Sequence, residues 1–196
     1  KTYVKAVELI ARPPNEFYGA LAKGAEYASS KYGGEDFALS LGSNEIPGYH
    51  TGPMGYAGVL TGSRHSHLDS AGYSLDQEAL AAEKPLDPNK TAEKLVDEEA
   101  WRQILSSLVV CFFSRKIYDK RVVLRALEVN GINLNNEDLD RIGLEILRKK
   151  FEFKLREGFD PKNLRVPRRI LETETPLGLI DEGFLQKSVQ TFFALL

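Results

Sequence analysis

The sequence predicts an all-α fold, an irregular multi-helix domain with one long glycine-rich loop. Apolar residues recur at helical spacing over helix-length stretches between Glu16 and Leu196. No run of alternating apolar and polar residues is long enough to indicate a convincing strand. The segment 42–75 differs, because it is rich in glycine, contains all 3 histidines and keeps no regular apolar period. We expect ordered but irregular backbone there.

The N-terminal part is predicted to contain two helices. The first covers residues 1–12 and is stopped by a pair of prolines. The second, residues 16–32, begins after the capping side chain of Asn15 and ends at two glycines. Residues 37–41 form a short apolar piece, either helix or strand, that leads into the glycine-rich segment.

The C-terminal part is predicted to contain longer helices. A short helix over 75–82 precedes a long one that starts near residue 89 or 91 and runs toward Phe113. The end of the long helix, residues 108–113, is wholly apolar, so we expect it to be buried on all sides. Other elements complete the chain: helices over 120–130, 136–157 and 181–196, and a basic extended piece over 165–169.

Composition limits the function classes. The 196 residues are 42% hydrophobic with a formal net charge of −2, which suits one domain and argues against a general nucleic-acid surface. No apolar run approaches the roughly 18 residues that a membrane-spanning helix needs. The single cysteine, Cys111, excludes an internal disulfide and fits a reducing, cytoplasmic interior.

Two histidines of the glycine-rich segment are candidates for chemistry. His65 and His67 lie two residues apart, and they could share a zinc ion on extended backbone, but no further ligands follow at regular spacing. A single histidine that donates or accepts a proton beside a cofactor is the stronger interpretation, because imidazole titrates near neutral pH. A histidine hydrogen-bonded to loop backbone is the alternative.

Cys111 lies in the apolar segment SSLVVCFF. A single cysteine in such a segment is usually a small hydrophobic residue of the core. Its thiolate could instead be one ligand of an iron–sulfur cluster whose other ligands lie elsewhere. Composition and spacing leave both interpretations open.

Six short motifs occur in a fixed order along the chain. They are LAKG at 21–24, EIPGY at 45–49, TGSRHSH at 61–67, SSLVVC at 106–111, REGF at 156–159 and VPRRILET at 166–173. Their order and content resemble the C-terminal region of the tungsten-containing aldehyde ferredoxin oxidoreductases. The corresponding elements in that family include Glu-(Ile/Leu/Met)-Pro-(Gly/Ala)-(Tyr/His), Thr-Ser-x-Arg-Gly-x-Cys-His and Asp-x-x-(Gly/Val)-(Leu/Val)-Cys. The resemblance covers nearly the whole chain.

The resemblance implies that residues 1–196 form the single C-terminal helical domain of a larger enzyme. That enzyme would oxidise aldehydes to carboxylic acids and pass the electrons through a [4Fe–4S] cluster to ferredoxin. The implied cofactors are a tungsten or molybdenum bis-pterin and the cluster, and we do not expect this chain alone to bind either tightly. The implied partners are the N-terminal cofactor-binding domain and ferredoxin, and a homo-oligomer is compatible with the resemblance.

The resemblance also implies roles for five residues. His67 would handle protons near the metal, and Cys111 would be a cluster ligand. Ser106 would be a weakened contact to the pterin, at a position where the family has an acidic residue. Arg64 and Glu45 would shape the loop at the cofactor.

Departures from the family pattern keep two alternatives open. His50-Thr51-Gly52-Pro53 follows EIPGY where the family has Asp-Pro-Arg-Gly, Asp69 replaces a basic residue, and the other three cluster cysteines are not within these residues. One alternative is a degenerate domain that has lost the cofactor and serves as a scaffold or partner-binding module. The other is a reductase of the same family that acts on a non-aldehyde substrate.

Overall fold

A computed structural model describes residues 2–66, 70, 72–82 and 85–196. In these residues the chain is predominantly helical, which confirms the all-α prediction. The elements in chain order are α1 (Thr2–Ala11), α2 (Glu16–Leu21), α3 (Ala25–Tyr32), β1 (Ser40–Leu41), β2 (Asn44–Glu45), α4 (Pro53–Thr61), α5 (Gly72–Ala82), α6 (Pro88–Ser107), α7 (Lys120–Val129), α8 (Asn136–Arg156), α9 (Arg168–Glu172) and α10 (Glu182–Leu195).

The described β-structure is small. Strands β1 and β2 pair antiparallel as one hairpin, and an isolated bridge joins Thr175 and Gly178. The sequence did not decide between helix and strand for the apolar piece at 37–41. Its last two residues, Ser40 and Leu41, form the first strand of this hairpin. None of the helices in the described ranges combines the length and apolar character that crossing a membrane requires.

Helix α4 lies inside the larger hydrophobic core, where it packs against α5 and α10. All of its residues except Gly55 are buried. The expectation of irregular backbone throughout 42–75 therefore does not hold for Pro53–Thr61. The physical reason is that a helix surrounded by apolar neighbours has no polar face, so its sequence carries no amphipathic period.

The long helices α6, α8 and α10 form the rest of the framework. Helix α6 packs against both α8 and α10. Its crossing with α8 is close at Gly143, where an added Cβ would lie 2.4 Å from the backbone oxygen of Ala100. Nearby, the Lys150 ammonium donates to Oε1 of Gln103 at 2.5 Å, which ties the same two helices through a half-buried polar contact.

The predicted helix over residues 16–32 is broken into α2 and α3. Gly24 stands between them with φ of +97°, a left-handed conformation that glycine adopts easily and that interrupts a right-handed helix. The carboxylate of Glu45 then accepts a hydrogen bond from the backbone N–H of Ala25 at 2.8 Å. The first turn of α3 is thus capped by a side chain from β2, which no local sequence signal predicts.

The end of α6 differs most from expectation. The helix stops at Ser107 in a Schellman turn, in which the N–H of Val110 bonds the carbonyl of Leu105 and Val109 is left-handed with φ of +57°. The prediction that residues 108–113 are buried on all sides is wrong: Val109 is 91% exposed and Phe113 is 86% exposed. The turn directs this segment outward, and Val110 packs against the smaller core of α6, α7 and α8.

Candidate functional site

The candidate proton-handling residue, His67, lies outside the described residues. The structure does describe the segment 62–66 that leads to it and Ser70 that follows it. These flanking residues define the part of the candidate site that the structure describes.

His65 is buried, with 7% of its surface exposed, and both of its ring nitrogens are engaged. Nδ1 lies 3.0 Å from the carbonyl oxygen of Val59, and Nε2 lies 2.9 Å from the ammonium of Lys154. Because a carbonyl can only accept, Nδ1 carries the hydrogen and Nε2 accepts from the ammonium. Burial and then the Lys154 charge lower the pKa of His65, which keeps its imidazole neutral.

Lys154 connects α8 to the start of this segment. Besides its contact with His65, its ammonium lies 3.4 Å from the carbonyl oxygen of Gly62 and 3.8 Å from the ring centroid of Phe159. A cation over an aromatic face is attracted by the ring quadrupole. The ammonium thus joins the loop after α4 to the segment after α8.

The β1–β2 hairpin packs on the same loop and brings two candidate residues near each other. Asn44 donates from Nδ2 to the carbonyl oxygen of Arg64 at 2.6 Å. Glu45, the next residue, uses its carboxylate to cap α3. Gly42 lies against the His65 ring so closely that a Cβ there would come within 2.3 Å of it. Arg64 itself has an exposed side chain.

Ser106 and Cys111 lie on a different element, the turn that ends α6. Both are exposed. Ser106 thus lies in the last turn of α6 and Cys111 just after it, whereas the backbone of Arg64 is hydrogen-bonded to Asn44, the residue before Glu45. A buried hydrogen bond connects α6 to the far end of the loop, where Nη1 of Arg102 donates to the carbonyl oxygen of Ser70.

Sequence reasoning missed a second network, around the buried side chain of Tyr56. Nε2 of His50 lies 2.8 Å from the carbonyl oxygen of Thr173, so it donates, and Nδ1 accepts from the Tyr56 hydroxyl at 2.7 Å. Burial and the nearby carboxyl of Asp76 raise the pKa of Tyr56 to about 12. No spacing in the sequence links these residues, because the contacts depend on the burial of α4.

The metal-binding side chains of the described residues do not converge on a common point. Within the described residues, no group of three or more His, Cys, Asp or Glu side chains is placed to hold a metal ion. Cys111 is an exposed thiol. This exposure is compatible with a role as one ligand of a cluster whose other ligands are supplied by other residues.

Comparison with known protein families identifies a relationship. A family model described as aldehyde ferredoxin oxidoreductase, domains 2 & 3, matches residues 1–195. No curated protein and no solved structure matches the chain. The match spans nearly the whole chain and confirms the resemblance that the six motifs carry.

Proposed function

The chain belongs to the aldehyde ferredoxin oxidoreductase family, and we propose from this that it is the C-terminal helical domain of a tungsten- or molybdenum-pterin oxidoreductase. The proposed reaction is aldehyde plus water to carboxylate, with two electrons passing through a [4Fe–4S] cluster to ferredoxin in the cytoplasm. The bound metal-pterin would supply the two-electron chemistry, and the protein would position and tune it. Residues 1–196 would act together with an N-terminal cofactor-binding domain.

The exposure of Cys111 is the observation that carries this proposal. A cysteine that only fills space belongs in the core, whereas Cys111 is exposed on a turn whose neighbours Val109 and Phe113 are also exposed. Several exposed apolar side chains close together indicate a surface that another domain can cover. A second domain seated here would receive the thiolate as a ligand, and Val109 and Phe113 would keep water from the cluster.

The family membership suggests the remaining roles, and the described positions of Arg64, Ser106 and Glu45 are compatible with theirs. Arg64 offers an exposed guanidinium, which suits a bidentate contact to an anionic group of the pterin. Ser106 offers a neutral hydroxyl in place of a carboxylate, so its contact to the pterin would be weaker. Glu45 would act indirectly, since its carboxylate already caps α3. His67 would accept or donate a proton beside the metal.

The test uses Cys111→Ser and Cys111→Ala in the full-length enzyme. Both remove the thiolate with little change in volume, so both should lower cluster iron and ferredoxin-linked activity about tenfold or more. Ser114→Ala, in the next turn, is the matched control and should leave both unchanged. A serine variant with the wild-type cluster signal and normal electron transfer would contradict the ligand role.

The scaffold alternative is favoured by one observation, the serine at 106 in place of the acidic pterin contact. It predicts that the wild-type full-length protein folds without tungsten, molybdenum or iron. Metal analysis of that protein distinguishes the two functions, because the oxidoreductase requires a stoichiometric pterin metal.

A further inference from the structure

We infer that His65 and Lys154 are a positioning pair, which fixes the backbone of residues 62–66 and thereby sets the position of Arg64. The inference rests on the proposed function, since it assigns the pair to the cofactor-facing loop. The two residues would touch neither substrate nor cofactor and would act through the residues that they hold.

The contacts of the His65 ring leave it little freedom. Its two nitrogens are used by Val59 and Lys154, Gly42 covers one part of the ring, and the Phe159 ring lies with its centroid 5.4 Å away. The backbone of His65 is left-handed, with φ of +48°, a conformation that is uncommon outside glycine, although histidine adopts it more often than most other residues. The fixed ring thus holds the backbone in a conformation that the loop would not prefer alone.

The loop is held at its far end as well. Arg102 on α6 is buried and donates to the carbonyl oxygen of Ser70. Lys154, on α8, holds the near end through His65 and Gly62. Because α6 and α8 pack directly against each other, the two anchors belong to one rigid framework. The described residues on both sides, 62–66 and Ser70, are therefore each anchored to this framework.

The pair requires a neutral imidazole. A proton on Nε2 would remove the acceptor and place an imidazolium 2.9 Å from an ammonium. Other charged groups face the ring: Glu26 from α3, which favours the protonated form, and Asp160 and Arg165 across a cavity of about 310 Å³. The cavity lets water reach the ring. The pair should therefore persist at neutral pH and open in acid.

Two lysine variants separate positioning from simple packing in the full-length protein. Lys154→Met keeps the chain length and the apolar contact but removes the donor, whereas Lys154→Arg keeps a charged donor. We expect Lys154→Met to lower the bound pterin metal and kcat about tenfold or more, and Lys154→Arg to recover part of the loss. Lys149→Met, on the exposed face of α8, is the matched control and should match wild type.

Two variants of His65 separate the effects of its two hydrogen bonds. In His65→Asn the amide can still donate to Val59 but cannot reach Lys154, and in His65→Gln the amide oxygen can accept from Lys154. If the pair positions the loop, His65→Gln should retain more bound metal than His65→Asn. Equal losses in both variants would overturn the role of Lys154.

A second measurement does not depend on the cofactor. Nitrogen-15 spectra of the histidine-labelled protein should show a neutral His65 with hydrogen on Nδ1, whose apparent pKa rises in Lys154→Met. An Nε2–H tautomer, or a pKa unchanged by that substitution, would overturn the inference. Because this readout needs no bound metal, it separates failure of the pair from failure of the proposed oxidoreductase function.

Discussion

The carboxylate of Asp76 accepts a hydrogen bond from the backbone N–H of Gly55 at 2.8 Å. The Thr51 hydroxyl donates to the same oxygen, and the other oxygen of the carboxylate accepts from the N–H of Met54 at 3.0 Å. The residue before α4, Gly52, has no side chain to cap the helix. A fully buried carboxyl from α5 therefore caps the N-terminus of α4 across the core.

This cap predicts a pH-dependent stability. Burial raises the pKa of Asp76 to about 6 from 3.8, against the opposing effect of its hydrogen bonds. The folded state therefore binds the proton more tightly than the unfolded state. The contribution to the free energy of unfolding is full below about pH 4 and falls by about 3 kcal/mol as the pH rises through 6.

Asp76→Asn removes the titrating group and should flatten the stability profile between about pH 4 and pH 6. Urea unfolding at a series of pH values measures the slope. Asp97→Asn, which removes an exposed carboxyl of α6, is the control and should keep the wild-type slope. A wild-type slope in Asp76→Asn would show that the carboxyl does not control this pH dependence.

The Schellman turn at the end of α6 predicts a stabilising substitution. Val109 is a β-branched residue in left-handed conformation, at the position where helices usually have glycine. Val109→Gly should raise the free energy of unfolding by about 1 kcal/mol, because glycine has no Cβ to strain this backbone. Val129→Gly, at an exposed valine in the last turn of α7, should lower it by about 1 kcal/mol. Equal destabilisation by both would mean that Val109 is not strained.

The unfavourable conformation of Val109 also bears on function. A backbone outlier persists only where the surrounding structure enforces it, and such outliers concentrate at functional sites. Val109 lies two residues before Cys111, so glycine at this position should stabilise the chain and loosen the presentation of the thiol. Cluster content should then fall in Val109→Gly although its stability rises.

The sequence predicted the helices that have strong local signals. Asn135 and Asp138 form a capping box at the start of α8, and Asp119 and Asp181 cap α7 and α10 through their side chains. These signals lie within a few residues of the helix ends, so periodicity and capping place the three helices within one or two residues. At these three helices, side-chain capping near the helix end determines where the helix begins.

The remaining differences between the predicted and the observed structure come from contacts between residues that are distant in sequence. Helix α4 gives no amphipathic signal because it is buried almost all round, and its cap comes from Asp76, 21 residues after Gly55. The apolar residues 108–113 indicated burial, but their exposure depends on the turn that Val109 makes. Likewise, the contact of His65 with Lys154, 89 residues away, has no local signal in the sequence.

The crossing of α6 and α8 predicts a steric effect at Gly143. A Cβ there would lie 2.4 Å from the carbonyl oxygen of Ala100, and neither helix backbone can yield without moving the pair apart. Gly143→Ala should lower the free energy of unfolding by about 1–3 kcal/mol, although alanine favours helix. Gly19→Ala in α2 is the control, since its nearest atom is 3.9 Å away, and it should be neutral or slightly stabilising. Thermal unfolding of both variants measures the difference.

The exposed phenyl ring of Phe113 predicts a contrast with a core phenylalanine. Phe113→Ser should leave the free energy of unfolding of the 196-residue chain within about 0.5 kcal/mol of wild type. Phe192→Ala removes a fully buried ring and should cost about 3–5 kcal/mol. In the full-length enzyme, Phe113→Ser should weaken the association of the two domains, measured as greater protease sensitivity. Strong destabilisation of the chain alone would mean that Phe113 is buried in solution.

The exposed thiol of Cys111 predicts a reactivity that depends on the cluster. In the 196-residue chain under native conditions, a thiol reagent should modify Cys111 nearly as fast as in the denatured chain, because the side chain faces solvent. In the full-length enzyme with its cluster in place, the same thiol should be protected, since iron would hold the sulfur. Removing the cluster with a chelator and oxidant should restore the labelling. Protection in the 196-residue chain alone would show that the thiol is buried, and rapid labelling of the intact holoenzyme would show that Cys111 is not a ligand.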